Sequence, residues 1–88
     1  MYSEVIEVRN KTGLHARPAA AFVQAAAKFK SAITIEKDGI QANAKSMLSL
    51  LSIGASMGST VKIAAEGEDE NQAVRTLVEL IESRFGEE

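Results

Sequence analysis

The sequence predicts an α+β fold in which a largely antiparallel sheet is covered by helices on one side, in the order β-α-β-β-α-β-α. Three observations carry this: period-two apolar alternation in several short segments, helical apolar stripes in two longer ones, and an Asp38-Gly39 pair between two alternating runs. Strands with one apolar face, joined partly by a tight hairpin, favour antiparallel pairing with one wet face. The 88 residues contain no Pro- or Ser-rich linker, so one domain spanning 1–88 is expected.

The elements follow in chain order. From Tyr2 to Val8, the residues Tyr2, Ile6 and Val8 share one face while Ser3, Val5 and Glu7 occupy the other, the pattern of a half-buried strand. Asn10 to Gly13 ends it. From Ala16 onward Ala19, Phe22, Val23, Ala26 and Phe29 keep the spacing of an amphipathic helix. Ile33 and Ile35 alternate with Thr34 and Glu36, Asp38-Gly39 suits a type I′ turn, and Ile40 and Ala42 resume the alternation. Ser46 is placed to cap a short seven-residue helix holding Met47, Leu48, Leu50 and Leu51, with Gly54 just past its end. The Gly54 to Ser59 stretch lacks the Lys of a phosphate-binding loop and reads as a flexible connection. Thr60 to Glu66 alternates through Val61, Ile63 and Ala65. A last helix follows Gly67, with capping-box spacing at Asp69 and Gln72 and a stripe of Ala73, Val74, Leu77, Val78, Leu80, Ile81 and Phe85. Glu87 and Glu88 are expected to fray.

Composition excludes several classes of function. Apolar residues make up 45% and aromatics only 5%, so the core must be mostly aliphatic. Ten basic residues against twelve acidic ones leave a net charge of -2, which argues against direct capture of nucleic acid. Without cysteine there is no disulfide or thiolate metal site, and one His does not make a metal centre, so no metal and no cofactor are expected. No window approaches the roughly 18 apolar residues of a membrane span, and Met1 to Arg9 carries no export signal, so neither membrane insertion nor secretion is expected. A cytoplasmic location follows as the expectation. Asn10-Lys11-Thr12 spells a glycosylation acceptor, but without export it reads as an ordinary loop.

Chemistry points to Gly13-Leu14-His15-Ala16-Arg17-Pro18. The single His stands just before the first helix, and Pro18 lies in that helix's first turn, where a missing N–H costs nothing. The early amides, those of Ala16 and Arg17, have no intrahelical acceptor and carry the positive end of the helix dipole. Arg17 adds a guanidinium fork able to bond phosphate oxygens in pairs. An imidazole beside those donors is expected to offer a nucleophilic ring nitrogen to an incoming phosphoryl group. His15 is therefore the candidate phosphoryl acceptor, with Arg17 and the two amides as phosphate stabilisers. From the residues alone, an anion-binding module and a helix-capping His remain alternatives.

The hexapeptide Gly13 to Pro18 resembles the active-centre motif of HPr, the histidine-containing phosphocarrier family of the bacterial sugar phosphotransferase system. The likeness extends over the whole chain, including Lys45-Ser46 before the second helix. It implies an open-faced β-sandwich, a four-stranded antiparallel sheet with three helices on one face. It implies phosphorylation of His15 at Nδ1 by enzyme I at the expense of phosphoenolpyruvate, then transfer to sugar-specific IIA proteins, with the chain acting as a stoichiometric carrier rather than an enzyme. In the Gram-positive branch it further implies regulatory phosphorylation of Ser46 by HPr kinase/phosphorylase and binding of the catabolite control repressor. Met47, Leu48 and Leu51 are the expected docking residues, because a seven-residue helix does not bury four large apolar side chains. The competing class is a regulatory module acting through phosphoserine alone, and its members lack the phosphorylatable His. A monomer is the default expectation.

Overall fold

The structure is a computed structural model that describes residues 1–86, so the expected fraying of Glu87 and Glu88 lies outside the described residues. Strand β1 spans Tyr2–Glu7, helix α1 Ala16–Ala27, β2 Ala32–Lys37, β3 Ile40–Asn43, α2 Met47–Ser52, β4 Thr60–Glu66 and α3 Glu70–Glu82, followed by a 3-10 turn at Arg84–Gly86. The sheet order is β1-β4-β2-β3 and every neighbouring pair is antiparallel.

The predicted alternation governs which face is wet. Ile63 in β4 stands opposite Ile35 in β2, which in turn stands opposite Ala42 in β3, and all three are buried under the helices. On the other face Lys62 stands opposite Val5 and Glu36, and Val5 is 66% exposed. Asp38 and Gly39 both take positive φ, 53° and 80°, as a type I′ turn requires. Ile40 shares the phase of Ala42 yet is 61% exposed, because it lies at the hairpin end of an edge strand. Phe22 of α1, Leu50 of α2, and Leu77 and Ile81 of α3 fill the space between helices and sheet.

Three sequence expectations are corrected. The Asp69–Gln72 capping box does not form, since Asp69 makes no side-chain cap bond to its own helix. Its carboxylate instead accepts from the backbone amides of Lys30 at 2.8 Å and Ser31 at 3.0 Å, and from the Ser31 hydroxyl. The cause is a close approach: a Cβ on Gly67 would lie 2.7 Å from Ser31 Cα, so the turn after α1 is pressed onto the start of α3. These hydrogen bonds, that of the Ser31 hydroxyl foremost, hold the Asp69 carboxyl below its ordinary pKa. Glu70 reaches back to the Gly67 amide at 3.1 Å in its place.

Phe85 is not part of the α3 stripe. The helix ends at Glu82, the Ser83 hydroxyl donates to the Leu80 carbonyl at 2.7 Å, and Arg84 and Phe85 turn left-handed at φ 59° and 53°. The 54–59 connection is tied down rather than loose. Val8 N donates to Ser59 O at 2.8 Å, Gly58 N to Val8 O at 2.7 Å, and Leu14 N to Ala55 O at 3.0 Å.

Candidate functional site

The His segment stands on that connection. Gly13 sits at φ 65° with its α-carbon so close to the neighbouring strand of chain that a Cβ would lie 2.6 Å from both Ala55 O and Ser56 Cα. Leu14 then turns inward and is buried, so the next residue, His15, faces solvent. His15 is the N-cap of α1 in extended backbone, φ -137° and ψ 152°, and its ring makes no capping hydrogen bond. Ala16 follows at φ 45°, a left-handed conformation that costs a non-glycine residue roughly 1–2 kcal/mol. The first bond of the helix, Ala19 N to His15 O, is stretched to 3.5 Å.

His15, Ala16 and Arg17 are thus brought together at one exposed helix start, and Pro18 is buried beneath them. The amides of Ala16 and Arg17 precede the first intrahelical bond, so their donors point out of the helix. Arg17 lines an open groove of about 460 Å³ with Thr12, Ala16, Pro18, Ala21, Phe85 and Gly86. From Val8 to Ile35 the chain has no carboxylate, while Arg9, Lys11, Arg17, Lys28 and Lys30 are basic. Lys28 and Lys30 lie past the far end of α1 and Arg9 pairs with Glu7, so the cations nearest the helix start in sequence are Lys11 and Arg17, whose charge favours a phosphoryl group there.

Ser46 and the apolar residues form a second locus on α2, which packs against α1. Ser46 is the N-cap, and its hydroxyl oxygen accepts from Ser49 N at 3.3 Å. Lys45 beside it donates from Nζ to the Phe29 carbonyl at 2.7 Å, supplying a cation to the end of α1 that has no basic residue in its own last turn. α2 has six residues rather than seven. Leu50 is wholly buried, Met47 and Leu51 are half-buried, and Leu48 is 81% exposed. Among the described residues no group of carboxylates, His or Cys is placed to hold a metal, and no helix is long and apolar enough to cross a membrane.

Two residues of the site were missed by sequence reasoning. Phe85 forms a wall of the Arg17 groove because the chain turns left-handed after α3, for which no local signal exists. Asn10, read as part of the segment that ends β1 and as a glycosylation pattern, is fully buried and bonds to Thr12 and Gly13. Its position three residues before a Gly was the usable signal, since Asn side chains organise turns in this way.

Comparison with known proteins agrees with this fold. The family described as PTS HPr component phosphorylation site matches residues 2–83. HPr-like protein Crh of Halalkalibacterium halodurans is 50% identical over 82 residues, covering 93% of this chain and 98% of its own. The crystal structure of HPr-C-His from Thermoanaerobacter tengcongensis is 58% identical with a TM-score of 0.98, covering 100% of this chain and 99% of that one. A crystal structure of an HPr dimer from the same organism is 57% identical with a TM-score of 0.80, covering 99% of this chain and 100% of that one. Four antiparallel strands under three helices are the open-faced sandwich of these HPr structures, and the chain belongs to the HPr family of the phosphotransferase system.

Proposed function

We propose that this chain is a cytoplasmic phosphoryl carrier in which His15 accepts a phosphoryl group from phosphorylated enzyme I and passes it to sugar-specific IIA proteins. The observation that carries the reading is an exposed His15 at the start of α1, its ring making no capping bond, with Arg17 two residues on. In loading, His15 Nδ1 attacks phosphorus as the donor's bond to it breaks; in unloading, the acceptor's nucleophile attacks phosphorus as the P–Nδ1 bond breaks, so each transfer forms one bond for one lost and no water is consumed. The amides of Ala16 and Arg17 and the Arg17 guanidinium would meet the phosphoryl oxygens, placing fixed positive dipoles where negative charge gathers. An exposed acceptor suits a carrier, because donor and acceptor proteins must each reach the same ring. The site is assembled within a single chain, which supports a monomer as the working unit, and light scattering at assay concentration tests that point.

A second role for Ser46 is favoured by the Crh relative and by the hydroxyl's place at a helix N-terminus. There a phosphoserine dianion is tolerated by the dipole, so the fold survives the modification. The partners in this role would be HPr kinase/phosphorylase and the catabolite control repressor, docking over Leu48, Met47 and Leu51. His15 speaks against a purely regulatory module, since the ring needed for carriage is present and accessible. Incubation with phosphoenolpyruvate and enzyme I, followed by mass spectrometry, should show the gain of one acid-labile phosphoryl group that His15→Ala lacks. Absence of that gain in the wild type, with acid-stable phosphate on Ser46 after kinase treatment, would establish the regulatory reading instead.

A further inference from the structure

We propose, resting on the carrier reading, that Asn10 is a positioning residue for the phosphoryl site, acting through the turn that presents His15. Its side chain is fully buried, which is costly for a carboxamide unless hydrogen bonds compensate. Its Nδ2 donates to the Gly13 carbonyl at 2.9 Å and to the Thr12 hydroxyl at 3.3 Å. The Gly13 amide donates back to the Asn10 carbonyl at 3.2 Å. The same turn is therefore closed twice, once by backbone and once by side chain.

What the turn sets is the origin of the reacting group. Gly13 is wedged against Ala55 and Ser56, and Leu14 is bonded to Ala55, so His15 lies one residue beyond the last fixed point. Thr12, held by the same carboxamide, lines the groove that contains Arg17. Asn10 thus bears on both the ring's starting point, through the turn at Gly13, and the groove that holds Arg17, through Thr12. Misplacing reacting atoms by about 1 Å can cost on the order of a hundredfold in rate, so even partial loosening of this turn is measurable.

The test compares Asn10→Ala, and Asn10→Asp of equal size but without the amide donors, in steady-state phosphorylation by enzyme I and phosphoenolpyruvate. Both variants should remain folded by circular dichroism, with kcat lowered about tenfold and KM unchanged within about twofold, because the docking face on α2 is untouched. A folded variant whose kcat stays within about twofold of wild type overturns the proposal, as does a loss that merely tracks the unfolded fraction. If Asn10→Ala does not fold, Asn10→Asp is read in the same way, and if neither folds the residue is structural only and the proposal fails. Failure of the carrier reading looks different: the wild-type chain itself would then take no phosphoryl group.

Discussion

The starts of α1 and α2 make an instructive pair, because each helix begins at a residue proposed to take phosphate and each is entered from extended backbone. At α2 the Ser46 hydroxyl accepts from Ser49 N, and the first intrahelical bond, Leu50 N to Ser46 O, is 2.9 Å. At α1 the imidazole makes no such bond, Ala16 is left-handed, and the corresponding first bond is 3.5 Å. One start is stabilised locally by its own N-cap. The other leaves its ring and first amides unused within the helix and is held from outside, by Asn10, by the wedge at Gly13 and by the 54–59 connection. A helix start whose first amides are left open must draw its order from tertiary contacts, whereas one with a side-chain cap is held locally.

The most damaging way to break this contrast is to attack the wedge. Gly13→Ala adds a left-handed penalty of roughly 1–2 kcal/mol and an overpacking cost of about 1–3 kcal/mol. Loss of about 3 kcal/mol is expected in urea denaturation, together with loss of His15 phosphorylation. Gly54→Ala, at φ 64° just past α2 with open space around it, carries the conformational penalty alone and should cost about 1 kcal/mol. Equal costs at the two positions would show that the wedge contributes nothing.

The start of α3 sharpens the contrast, since its N-cap residue also leaves its own helix uncapped, here for structure rather than chemistry. Asp69 has a carboxyl lowered first by the Ser31 hydroxyl and then by the Lys30 amide, so its folded pKa lies below an unfolded value of about 3.9. Stability from this group is fully present above the unfolded value and is lost as pH falls through the folded one. Asp69→Asn should therefore be less stable at neutral pH and show a flatter acid limb than wild type in urea titrations, with His15 still phosphorylated. Parallel acid limbs would mean that the tie between the turn after α1 and α3 is not made in solution.

What could be read without coordinates divides along the same line. The stripe of α1, the Asp38-Gly39 hairpin and the cap at Ser46 are local patterns, and His15, Arg17 and Pro18 are contiguous, so both helix starts were recognisable from spacing alone. Asp69 serving Lys30 and Ser31 nearly forty residues away was not. Its side chain has the same identity whether it caps its own helix or another segment, and only the close packing at Gly67 decides between them. The support under His15 was hidden for the same reason. Gly54 to Ser59 has the composition of a mobile link, and nothing local reports that its carbonyls meet Val8 and Leu14. Periodicity tells which face is buried but not which distant loop a buried turn rests against.

The smallest expected effects discriminate most finely between the two helix starts. Ser46→Ala removes a working N-cap, and because the bond to Ser49 N is long at 3.3 Å, the cost should fall toward the lower end of the usual range, about 0.5–1 kcal/mol. His15→Ala removes an exposed ring that caps nothing, and its effect on stability should stay within about 0.5 kcal/mol even though the proposed carrier role would be lost with it. Both follow from urea denaturation at neutral pH on otherwise identical chains. A His15→Ala cost equal to that of Ser46→Ala would mean that the imidazole stabilises α1 as an ordinary cap does, and the ring would then have to break that interaction before accepting phosphate. A near-zero cost for His15→Ala beside a measurable one for Ser46→Ala instead places the stability of α1 in the loops beneath it, leaving the imidazole free of any structural duty that phosphorylation would disturb.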